Sequence, residues 1–174
     1  TVGKIDVEWT RPYKFDASKT PGPYTYKLYR AIGENTEDFT LIYTKNTTLL
    51  ADADTLYIDQ NLNTEEKTYR YKVEFIANSV LFGTSHKANS VWTKVVSKNA
   101  SLGITWQANV PWQNINQIHK IYRKGQDGTF NLIAKVPIVD SFSYTDTGQD
   151  SEKDDGDISQ TLVNEQKYCY YVET

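Results

Sequence analysis

An all-β chain built as two tandem β-sandwiches is predicted by three observations. Apolar and polar residues alternate with a period of two along the apolar segments, which marks strands with one buried face. Aromatics carry much of the apolar content, with 13 Tyr, 6 Phe and 4 Trp among 174 residues, and such rings favour a pleated, half-buried surface. Five segments also recur in the same order in the two halves, and a recurring order of this kind marks the folding unit.

The first pair is IDVEWT (5–10) and LGITWQ (102–107), in which Ile5, Val7 and Trp9 answer Leu102, Ile104 and Trp106. YKLYRA (26–31) then answers HKIYRK (119–124), and FTLIYTKN (39–46) answers FNLIAKVP (130–137). YID (57–59) matches YTD (144–146), and YRYKVE (69–74) matches YCYYVE (168–173). Between them lie turn-forming stretches such as PGP (21–23), QDG (126–128) and DTG (146–148), which suit hairpins and open loops. Helical periodicity is absent.

The join falls in SHKANSVWTKVVSKNA (85–100), which holds no Pro-rich or Gly/Ser-rich spacer. The expected modules are residues 1–90 and 91–174, with VWTKVV (91–96) as either the first strand of the second or the last strand of the first. The first module has little room for an opening strand before IDVEWT, and the second stops after YCYYVE, short of a closing strand. The chain has no Met and is therefore expected to be a segment of a longer polypeptide. Open strand edges at the two truncated ends would favour an edge-strand dimer.

Formal net charge is −3, with Lys and Arg scattered among acids, so the charge footprint of a nucleic-acid binder is missing. No apolar run approaches the roughly 20 residues that span a bilayer as a helix. A single Cys forms no internal disulfide, and two His are too few for a His-rich metal site.

A strand ending in Trp, an extended Y-x-L/I-Y-R strand, and a Leu shortly before a Tyr-x-Tyr-x-Val strand together resemble the fibronectin type III module, an immunoglobulin-like β-sandwich. In the second copy Leu162 stands six residues before Tyr168; in the first, Leu62 stands seven before Tyr69. The resemblance implies that Trp9 and Trp106 fill the two cores and that Tyr69 and Tyr168 hydrogen-bond back to the preceding corner. More narrowly, WTRP with PGPY, WQANVPWQN, IYRK and YCYYVE resemble repeated modules of large secreted proteins of gliding Bacteroidota. Those proteins end in a gliding-motility-type sorting domain read by the type IX secretion system. That likeness implies a secreted or cell-surface, outer-membrane-associated setting.

Chemistry-bearing residues are few. Cys169 alternates with Tyr168, Tyr170 and Val172 and no base is tied to it by sequence, so a free thiol, or one paired outside the segment, is expected rather than a nucleophile. His119 takes the position of Tyr26 and is expected to be partly buried and hydrogen-bonded; His86 sits in a polar stretch. The acidic run QDSEKDDGD offers Asp150, Glu152, Asp154, Asp155 and Asp157 as oxygen ligands for Ca²⁺, but its spacing misses the D-x-D-x-D-G loop and a solvated loop is the simpler reading. Asp59 and Asp146 are read as turn residues accepting backbone hydrogen bonds. NTT (46–48) and NAS (99–101) match a glycosylation pattern that matters only in a eukaryotic secretory path.

The loop after each Trp strand carries Tyr13 and Phe15 in one copy and Trp112 in the other, where sandwich folds place binding residues. These rings either contact a protein or glycan or cover the ends of their own modules or the neighbouring module. The function expected is thus a non-catalytic spacer or display module that holds flanking domains apart and needs no cofactor. The alternative is an adhesin-like binder of protein or glycan that uses Tyr13, Phe15 and Trp112.

Overall fold

The computed structural model describes residues 3–108, 117–138, 142–149, 159, 161–163 and 165–173. The chain divides into two units, Thr1–Ser90 and Val91–Thr174.

In the first unit, β1 (Lys4–Glu8) pairs antiparallel with β4 (Leu56–Gln60). A second sheet runs in the order β3 (Thr40–Thr47), β2 (Tyr24–Ile32), β5 (Tyr69–Ala77), β6 (Val80–Thr84), and β7 (Ala88–Asn89) also pairs with β5. The core follows from alternation on the two central strands. Tyr69, Tyr71, Val73, Phe75 and Ala77 of β5 are buried, as are Tyr24, Tyr26 and Leu28 of β2, and Ile5, Val7 and Trp9 pack against them. Lys72 and Glu74, one step out of phase on β5, face the other way and pair with each other.

In the second unit, β8 (Trp92–Lys98), β9 (Ser101–Gln107) and β12 (Ser143–Asp146) form one sheet in the order β12-β9-β8. The other sheet is β11 (Phe130–Pro137), β10 (Ile118–Lys124) and β13 (Tyr170–Glu173), in the order β11-β10-β13. VWTKVV is therefore the opening strand of the second unit: β8 turns into β9 with Lys98 opposite Ser101. Ala100 in that two-residue turn takes φ 53°, the left-handed backbone that tight hairpins demand. Ile104, Trp106, Ile121, Ile133, Ala134 and Val172 make the core.

Corresponding strands occupy corresponding places: β2 and β10 lie central in one sheet, flanked by β3 and β11 on one side and β5 and β13 on the other. Even the irregularity repeats, since the register slips once between β2 and β3 and once between β10 and β11, leaving Ile42 and Ile133 as the extra residue. The strand order is that of immunoglobulin-like, fibronectin-III-like sandwiches, and the chain is all-β apart from one 3₁₀ turn, Leu50–Asp52, among the described residues. One departure from the sequence reading concerns where a strand starts. The last strand begins at Tyr170 rather than Tyr168, although the Cys169 carbonyl still accepts the Lys124 N–H at 2.9 Å. The stretch after β5 is broken into β6 and β7, because Ser85 leaves the ladder to satisfy both the N–H and the C=O of Val73.

Candidate functional site

The loop between β1 and β2 was the first candidate, and the structure separates its two rings. Phe15 turns inward and meets Tyr24, Phe75 and Phe82 edge-to-face at centroid distances of 5.7, 5.1 and 4.9 Å. It covers the end of its own core, where it is partly buried. Tyr13 turns outward and is 88% exposed. Its ring lies 5.3 Å from the Lys14 ammonium, and Lys14 itself sits in left-handed backbone at φ 58°, a conformation that few non-glycine residues adopt. Two anchors steady the loop: Arg11 donates to the Ala51 carbonyl at 2.6 Å, and Asp16 accepts from the Ser18 backbone and hydroxyl, which lowers its pKa. Trp112 lies outside the described residues, as do Asp150, Glu152, Asp154, Asp155 and Asp157. Among the described residues, no group of three or more His, Cys, Asp or Glu gathers in a metal-holding cluster.

Trp9 and Trp106 extend the same ladder in each unit, donating their backbone N–H to the carbonyls of Thr55 and Phe142 at 2.9 and 3.0 Å. Trp106 is buried, whereas Trp9 is half-buried against its core. The hydroxyls of Tyr69 and Tyr168 each accept a backbone N–H from the preceding corner, from Asn63 and Val163 respectively, both at 2.8 Å. Tyr168 is only half-buried and donates onward to Gln166.

The Asp residues assigned to turns do something else. In the first unit Arg30 Nη1 donates to both oxygens of Asp59 at 2.9 and 3.0 Å, and the Tyr71 hydroxyl donates to the same carboxylate at 2.9 Å. In the second, Arg123 Nη1 donates to Asp146 at 2.9 and 2.8 Å, and Tyr170 adds a bond of 2.7 Å. Asp146 also accepts the Gly148 N–H at 2.7 Å, so the turn role holds there as a secondary one. In each unit the Asp belongs to one sheet while the Arg and Tyr belong to the other, so the cluster ties the two layers together. Burial, reinforced by the bond to the carboxylate, raises the pKa of Tyr71 and of Tyr170 far above the ordinary value. Signals for both clusters stood in the sequence as the matched Arg of YR, Asp of Y-x-D and second Tyr of Y-x-Y.

His119 corrects its expectation as well: it is fully buried, and neither ring nitrogen has a hydrogen-bond partner among the described residues. His86 is exposed. Cys169 is a free, half-buried thiol lining a shallow depression with Lys124, Gln126 and Tyr168. Among the described residues, no imidazole or carboxylate lines that depression to take the thiol proton.

No family model and no curated protein matches the chain. Among solved structures it is similar to the FN1–FN3 domains of chicken CNTN1, with 12% identity, a TM-score of 0.34 and 82% of this chain covered. This chain spans about half of that structure, 49% of its length. At that level of likeness the strand order itself carries the fold.

Proposed function

We propose that this chain is a non-catalytic spacer or display segment of a larger exported or cell-surface protein, its partners being the flanking domains of the same polypeptide. One observation carries this reading: the same Arg–Asp–Tyr cluster crosses from sheet to sheet in both sandwiches. A polar tie between layers does no chemistry on a substrate; it fixes how the layers stack, which is what a module that keeps distance requires. The resemblance to modules of gliding Bacteroidota supports a secreted, outer-membrane-associated location reached through type IX export. Replacing the segment in its parent protein by two unrelated sandwiches tests the idea. Retained display and function of the flanking domains supports a spacer, and loss of function with display intact overturns it.

A second reading, an adhesin-like contact with protein or glycan, is favoured by the exposure of Tyr13 beside Lys14. Binding on a glycan array or in a pull-down that Tyr13→Ala or Trp112→Ala abolishes, with the fold intact, would make this the better description. Phe15 is the weaker candidate contact, because its ring packs against its own core.

A further inference from the structure

At one matched position the two sandwiches differ in a way that changes their chemistry. The inward residue near the start of the central strand is Tyr26 in the first unit and His119 in the second. We infer that His119 makes the second sandwich, and not the first, lose stability on mild acidification.

The geometry around the ring supplies the reason. His119 is 0% exposed, its centroid lies 5.3 Å from that of Trp106 and 5.1 Å from that of Phe142, and both nitrogens are unbonded among the described residues. Directly opposite on β11 stands Val136, followed inward by Ala134. On β9 the ring meets Trp106, whose indole nitrogen is itself without a partner among the described residues. Inward positions on β8 are Thr93 and Val95, paired with Trp106 and Ile104. Among the described residues, the inward titratable or charged groups are Tyr144 and Asp146 on β12, Arg123 on β10 and Tyr170 on β13; Arg123 and Tyr170 both bind Asp146. Lys120 and Lys135 alternate to the opposite face of their sheet. The Gln117 side-chain oxygen is buried and does not bond to the ring.

A protonated imidazole here would be a cation with two N–H donors among rings and aliphatic side chains, and burying an unpaired charge is costly. Burial accordingly lowers the affinity of the folded ring for a proton below the ordinary value of 6.5, while the unfolded chain takes the proton near that value. The sign follows. Stability is intact above about pH 6.5 and falls as the pH drops toward the lower pKa of the folded state, because there the unfolded state binds more protons. For one group the folded-to-unfolded ratio drops by at most about tenfold per pH unit. Tyr26 carries no proton-accepting nitrogen, and burial pushes its pKa upward, so the first unit has no matching response. The Arg–Asp–Tyr clusters stand in both units and His119→Tyr leaves them in place, so that variant separates the imidazole's contribution from theirs.

Hydrogen exchange of the 174-residue chain, resolved by peptide and corrected for intrinsic rates, tests this between pH 7.5 and 5. The expected result is that protection of β9, β10 and β11 falls relative to that of β2 and β5, approaching tenfold per pH unit below 6.5. His119→Tyr, which copies the first unit, should remove the difference; His119→Gln should do so as well if the Tyr variant folds poorly. Equal pH dependence in the two units, or a difference that persists in a folded variant without His119, overturns the inference. An NMR titration in which the His119 ring protonates near 6.5 inside the folded second unit overturns it too.

Discussion

Arg123 and Asp146 meet in the interior of the second sandwich with side chains 2% and 0% exposed, the two carboxylate oxygens 2.9 and 2.8 Å from one guanidinium nitrogen. The equivalent Arg30 and Asp59 side chains are 26% and 5% exposed. That difference decides what removing the acid does. Asp146→Ala removes the carboxylate from a guanidinium that water cannot reach, and breaking a buried pair in this way costs about 3–5 kcal/mol. Asp59→Ala leaves Arg30 able to swing toward solvent, for a loss of about 1–2 kcal/mol. Denaturant unfolding of the two variants, with fluorescence or exchange readouts assigned to each unit, should show this order. Equal losses would mean that the two clusters are not energetically distinct.

The corner tyrosines should differ for a similar reason. Tyr69→Phe removes the acceptor for the Asn63 N–H in a part-buried setting, and an unsatisfied backbone donor costs about 1–3 kcal/mol. Tyr168→Phe frees the Val163 N–H where solvent has access, so water replaces most of the bond and the loss should stay below about 1 kcal/mol. Thermal melts of both variants check the order, and a larger loss for Tyr168→Phe contradicts it.

Much of this architecture is legible in the sequence because alternation is local. The phrase YRYKVEFIA states which residues of β5 face the core without reference to any other strand, and the repeated order of phrases identifies the two modules. The Arg–Asp–Tyr clusters were not legible, although each of their residues sits in a matched phrase. Which groups meet across a sandwich depends on how two sheets stack, and an Asp at a strand end has an adequate local explanation as a turn residue. His119 illustrates the same limit from the other side. Its strand position points inward, but whether a buried ring finds a partner is set by residues brought from β9 and β11. The extra residues Ile42 and Ile133 were hidden too, since a one-residue slip leaves the apolar pattern of FTLIYTKN and FNLIAKVP unbroken.

Alkaline pH should act through the tyrosines. The Tyr43 hydroxyl donates to Asp54, and that bond, with burial and the nearby negative charge, pushes its pKa up to about 12; Tyr71 and Tyr170 are raised as well, chiefly by burial. A raised folded pKa contributes stability that is intact below the unfolded value near 10 and is lost as pH rises through the folded one. The chain should therefore weaken from about pH 10 upward. A spectrophotometric titration should show several of the 13 tyrosines ionising late, in step with unfolding. Asp54→Ala should move Tyr43 to an earlier titration and leave Tyr71 and Tyr170 unchanged. Simultaneous, reversible ionisation of all tyrosines near pH 10 in the folded protein would contradict this.

Self-association, where it occurs, should run through the least protected strand edge. On β1 the exposed positions are Lys4, Asp6 and Glu8, and charges of this kind blunt an edge. On β13, Glu173 is engaged with Lys120 and Tyr122. By contrast β6 carries no charge, pairs on one side only among the described residues, and leaves Val80, Leu81 and Phe82 exposed. A register slip between β5 and β6 makes Phe82 the extra residue, and its ring folds back against Phe15 and Phe75. Such a bulge shortens any ladder that a second chain can form, so the expected contact is weak and appears only at high concentration. Leu81→Lys should abolish a concentration-dependent rise in sedimentation coefficient, whereas Tyr171→Lys should not. The reverse outcome would move the contact to β13, and a strict monomer at high concentration would rule out edge pairing at either strand.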